Sequence, residues 1–76
     1  MTTLEFLRRC KEGKGTWARG KDPKFESALH EFKAAARAGW VEPYEHRTSK
    51  SAPREIDLFR AVLTPAGELK LQSLGG

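Results

Sequence analysis

Up to Ala38 the large apolar residues of this chain recur at three- and four-residue steps; after Trp40 they thin out and begin to alternate. The first periodic stretch opens with TTLEF, where Thr2 and Glu5 have the spacing of a capping box. Phe6, Leu7 and Cys10 then share one face, with Leu4 at its margin, which predicts a helix over about residues 3–12 that Gly13 stops. Residues 13–22, GKGTWARGKD, carry no helical period, and Trp17 is their only large apolar side chain. Two readings stay open there: a short extended piece at Thr16–Ala18 anchored by Trp17, or a mobile loop with the indole partly exposed.

The second helix is the clearest element. Asp22 predicts its N-cap and Pro23 its first position, where a missing N–H costs nothing. Phe25, Ala28, Leu29, Phe32, Ala35 and Ala36 make one apolar stripe, the alanines favour helix, and Gly39 ends it. Lys24, Ser27, His30, Glu31, Lys33, Ala34 and Arg37 occupy the rest of the circumference.

The remainder of the chain reads as a hairpin and a last helix. Trp40, Val41 and Tyr44 suit a strand, in which Pro43 marks an edge or a bulge. The polar stretch RTSKSAPR predicts an exposed turn. In EIDLFRAVLT, Phe59, Ala61 and Leu63 alternate onto one face while Ile56 and Leu58 are out of phase, so a twist or bulge is expected near Leu58. Thr64 and Pro65 then cap and open a short helix from which Leu69 and Leu74 are expected to pack inward, with Gly75 and Gly76 as a frayed tail. The order is helix, loop or short strand, long helix, hairpin, short helix. It predicts a single small α+β domain over residues 1–76, without internal repeats.

Charge adds a partner class. The chain carries +4 at neutral pH, unevenly spread. Arg8 to Lys24 holds seven basic residues against Glu12 and Asp22, a local +5, and Tyr44 to Arg54 adds +2. Patches of this kind favour a polyanion through counterion release. The plainer reading is a solvated surface that keeps the protein soluble.

Other chemistry is thin. A chain this short buries only about 60% of its unfolded surface, which leaves little room for an enclosed active site beside a core. His30, His46 and Cys10 lack the paired spacing of zinc ligands, so neither metal nor cofactor is expected. Cys10 lies on an apolar face and reads as core rather than nucleophile. Glu42 and Glu45 flank a proline in an edge strand, and GKG and GKD are too short for a phosphate loop, so an enzyme is not expected. With one cysteine, no secretory pattern at the N-terminus and no apolar run near the roughly 20 residues of a membrane span, a cytoplasmic protein without a membrane partner is expected.

Leu29, Phe32, Gly39, Trp40 and Val41, followed by the basic hairpin and by Leu63, Thr64, Pro65, Ala66 and Gly67, resemble the back half of a winged helix-turn-helix domain of the MarR or PadR type. The resemblance spans roughly residues 25–70, and only residues 13–22 are left for the helix that precedes the recognition helix in that family. It implies duplex DNA as partner, with the long helix in the major groove and the wing on the backbone or minor groove. Carried over, the groove-facing positions are Lys24, Ser27, His30, Lys33, Ala34 and Arg37, and the wing positions Arg47, Thr48, Ser49, Lys50 and Arg54. It also implies a small transcriptional regulator acting as a dimer or with a partner. The competing expectation is a protein-interaction module or an inhibitor of nucleic-acid machinery, for which Trp17, Trp40 and Tyr44 are the hot-spot residue types.

Overall fold

A computed structural model describes residues 1–47 and 55–75. Among these residues, three helices cover one face of a three-stranded antiparallel sheet: α1 (Thr3–Lys11), β1 (Thr16–Ala18), α2 (Phe25–Ala38), β2 (Val41–His46), β3 (Leu58–Leu63) and α3 (Pro65–Ser73). The strand order is β1-β3-β2, so β3 is central and β2 is an edge. The small α+β domain expected from the sequence is present.

The core is an aromatic pile drawn from four elements. Trp17 is 0% exposed and stacks between Phe6 of α1, at 5.0 Å between ring centroids, and Phe59 of β3, at 5.2 Å. Phe59 also meets Phe32 at 4.5 Å and Phe25 at 5.4 Å, both from α2. This decides between the two readings of residues 13–22: Thr16–Ala18 is a strand, paired with Leu58–Arg60. Burying an aromatic ring of this size contributes about 2–3 kcal/mol or more.

Cap chemistry explains most of the helix ends. Thr2 Oγ1 accepts from the Glu5 N–H at 3.1 Å, and Phe6, Leu7 and Cys10 are buried as their spacing requires. At the end of α2, Gly39 takes φ 81°, a left-handed conformation that costs other residues about 1 kcal/mol or more. The Trp40 N–H then reaches back to the Ala35 carbonyl at 2.9 Å, and the chain turns into β2. Thr64 caps α3 as expected, accepting from the Gly67 N–H at 3.1 Å.

The start of α2 differs from expectation. Asp22 is not its N-cap: the Asp22 carboxylate accepts from the Ala18 N–H at 2.9 Å, closing the turn after β1. The Phe25 N–H donates to the Asp22 carbonyl at 3.1 Å, so Pro23 sits inside a turn and the helix begins at Phe25. Asp22 had two possible backbone partners, and the strand's took it.

The hairpin keeps Pro43 inside β2. Its neighbour across the ladder, Ala61, sends its N–H to Gly15 on the β1 side, so position 43 is one whose N–H would face away from β3. An outer edge is where proline fits. Near Leu58 the register shifts as expected. His46 is the Cα partner of Leu58, yet its carbonyl accepts from the Asp57 N–H at 3.0 Å, two residues against one as in a bulge. Ile56 thereby joins Phe59 and Ala61 in the core.

The phase of α3 is a second correction. Leu69 is 68% exposed and Leu74 stands at the surface, whereas Leu71 is 1% exposed. Gly67 sets this phase: a Cβ there would overlap the Trp40 carbonyl oxygen and crowd Leu63. Gly67 and Leu71, one turn apart, therefore face the core together.

In urea unfolding, Gly67→Ala is expected to cost about 3 kcal/mol or more, a large share of the roughly 5 kcal/mol a domain of this size holds. Leu71→Ala should cost about 2–4 kcal/mol, and Leu69→Ala no more than about 0.5 kcal/mol. Equal losses at Leu69 and Leu71 would contradict the observed phase.

Candidate nucleic-acid interface

The exposed side of α2 is divided by its neighbours. On one flank, toward α1, Lys24 Nζ lies 3.9 Å from Glu5 Oε2, Ser27 Oγ accepts from the Met1 ammonium at 3.0 Å, and Glu31 Oε2 accepts from Thr3 Oγ1 at 3.1 Å. On the other flank Glu26, His30, Lys33 and Arg37 succeed one another at helical steps, all exposed. The groove-facing positions expected along α2 thus do not form one surface. His30, Lys33 and Arg37 share a strip; Lys24 and Ser27 face α1.

The strip is more cationic than the neutral charge count of α2 suggests. Glu26, at its N-terminal end, is held by Arg19 Nη1 at 2.6 Å, and Glu31 is drawn to Thr3 on the far flank. Among the described residues Lys33 and Arg37 have no ion pair. Their charges face solvent at the end of α2 nearest Gly39.

Four of the basic residues before α2 are already engaged. Arg19 lies 4.7 Å above the Phe25 ring, donates to the Ile56 carbonyl at 3.0 Å and reaches Asp57 Oδ1 at 3.5 Å as well as Glu26. It ties the end of β1 to α2 and to the start of β3. Arg9 covers the Trp17 ring at 4.6 Å, Lys11 pairs with Glu68 at 3.3 Å, and Lys24 faces Glu5. Arg8, Lys14 and Lys21 stay exposed. The sequence counted Arg19 among the polyanion-binding charges; its side chain is a structural clamp instead.

The hairpin expected as a wing is described only in part. Beyond Val41 every residue of β2 is exposed, including Pro43 and Glu45 on the face that bears Val41, so the hairpin runs out past the helices. Arg47 pairs with Glu45 at 2.7 Å. The turn expected at the hairpin tip, with Thr48, Ser49, Lys50 and Arg54, lies outside the described residues. A shallow depression of about 350 Å³ sits on the outward face of the hairpin, lined by Tyr44, Glu45, His46, Leu58 and Arg60.

Cys10 is buried, and burial pushes its thiol up to about 11 against the opposing pull of Arg9. At neutral pH it stays protonated and serves packing. Among the described residues no three His, Cys, Asp or Glu side chains stand together as metal ligands, and no helix is long and apolar enough to cross a membrane. No family model, curated protein or solved structure matches this chain, so the chemistry of the site is read from its own residues.

The division of labour among the cations is measurable. Arg19→Ala should destabilise the domain by about 1–2 kcal/mol, from lost ring contact and charged hydrogen bonds. Lys33→Ala and Arg37→Ala should stay within about 0.5 kcal/mol of the parent in the same unfolding assay. A stability loss at Lys33 equal to that at Arg19 would place Lys33 in the structural set.

Proposed function

We propose that this domain is a winged helix that binds double-stranded DNA, as a small regulator or accessory protein of transcription. The observation that carries the proposal is the strip His30–Lys33–Arg37: solvent-facing, on a helix that leads directly into a hairpin, with Glu31 turned to the far flank and Glu26, at the strip's N-terminal end, paired with Arg19. An α-helix fits the major groove, and a two-stranded hairpin beside it reaches the adjacent backbone.

Two further features support it. The Thr64 N–H donates to the Trp40 carbonyl at 3.0 Å, which closes the hairpin against the end of α2 as the Gly39–Trp40 and Leu63–Thr64 pattern implied. Strand β1 then fills the third position of the sheet and seats Trp17 between Phe6 of α1 and Phe59 of β3. Residues 13–22 form that strand and its turns among the described elements, not a helix, so α2 takes its place without the helix that usually precedes a recognition helix. In this arrangement Lys33 and Arg37 contact phosphates, His30 is the residue placed to reach base edges, and Arg47, Lys50 and Arg54 supply the wing.

Titration of duplex DNA at two salt concentrations tests this. With about four phosphates engaged, log affinity falls against log salt with a slope of about −3 to −4. Lys33→Ala should lower that slope by about 1 and weaken binding uniformly across sequences. Charge reversal at Lys50 and Arg54 should weaken it further. No duplex binding at low salt would reject the proposal.

A further inference from the structure

The helices cover one face of the sheet and leave the other open. By strand alternation the open face carries Glu42, Tyr44 and His46 from β2, Leu58, Arg60 and Val62 from β3, and the two outer residues of β1. Three large apolar side chains stand there, Tyr44 opposite the Arg60 that separates Leu58 from Val62: Tyr44 is 50% exposed, Leu58 39% and Val62 37%. The remaining exposed large apolar residues, Leu69 and Leu74, are on α3. These side chains form a small apolar patch on the one face of the sheet that the helices leave open, within the size a monomer commonly exposes, so its character is set by the charges around it.

We propose that this face joins two copies of the chain. The charges select the occupant. Elsewhere the domain is strongly basic, and two molecules of net charge +4 repel each other. The open face is balanced, with Arg60 on β3 and Glu42 on β2. The Arg60 guanidinium lies 5.2 Å over the Tyr44 ring, and Glu42 Oε2 accepts from the Tyr44 hydroxyl at 3.2 Å. Neither has an ion pair among the described residues. A twofold axis lying between the two sheets and parallel to them, passing near Tyr44, sets Glu42 of one copy against Arg60 of the partner subunit, and the reverse, so the face complements itself. A nucleic-acid strand would meet the Glu42 carboxylate in the middle of its path.

The face is small. Its outward residues number fewer than the roughly 20–30 per side of a standard interface, which puts the association in the weak class. Sheet-on-sheet packing at about 10 Å lets Tyr44, Leu58 and Val62 interdigitate. This contact does not rest on the DNA reading, and its test contains no DNA.

Sedimentation equilibrium of the intact chain, from about 10 µM to about 1 mM, should show the average mass rising from the monomer's 8.5 kDa toward twice that value. Glu42→Arg and Arg60→Glu, each alone, set like charges across the axis and should hold the chain at monomer mass while circular dichroism stays unchanged. Mixed in equal amounts, the two variants restore both ion pairs and should recover the parent's association. Three results would overturn the proposal: a parent monomeric at the highest concentration, single variants that associate like the parent, or a mixture that stays monomeric. Binding of a single-stranded oligonucleotide by a monomeric parent, lost on Tyr44→Ala, would also overturn it and give the face to nucleobases.

Discussion

The contact on which this domain depends is the set of rings around Phe59. Trp17, Phe25 and Phe32 all lie within 5.4 Å of it, and Phe6 closes the far side of Trp17. Through this one residue the central strand is fastened to β1 and α2, and through Trp17 to α1. A chain of this length cannot assemble a broad aliphatic core. It concentrates apolar area in a few large rings, which also gain from offset stacking. The Trp17 indole N–H is left without a partner among the described residues, a cost of about 1–3 kcal/mol that the stack offsets.

That fastening positions the candidate interface. Because Phe25 and Phe32 are held by Phe59, the rotation of α2 about its own axis is fixed, and so is the direction of the His30–Lys33–Arg37 strip. Because Phe59 belongs to β3, the hairpin is tied to the same point. Arg19 reinforces the junction by bridging Glu26, Asp57 and the Ile56 carbonyl. Its guanidinium pairs with the carboxylate at the end of the exposed strip while bracing the fold. Structural ion pairing and the surface field are therefore coupled in this protein.

The sequence revealed most clearly whatever depends on one element alone. The α2 stripe, the Gly39 stop, the Thr64 cap and the phase slip before Phe59 were legible because each is set by spacing or by a single residue's backbone preference. Features that need two elements were not. Asp22 could cap a helix or close a turn, and the choice lay with the Ala18 N–H. Leu69, Leu71 and Leu74 define no stripe by themselves, and the phase of α3 comes from the close approach of Gly67 to Trp40. The same holds for the interface. The outward residues of α2 could be named from its stripe, but the flank taken by α1, with Lys24 and Ser27 on it, is a tertiary fact. The open face carrying Tyr44 and Arg60 became visible only once β1 had paired with β3.

The proposed DNA binding requires α2 to present its outer strip to the duplex from a rigid frame. Amide chemical-shift mapping during addition of a short duplex tests this most directly. Perturbations should concentrate at His30, Lys33 and Arg37 and along the far end of the hairpin, with Trp17 and Phe59 unchanged. Shifts confined to α3 or to the open face of the sheet, with α2 silent, would contradict it.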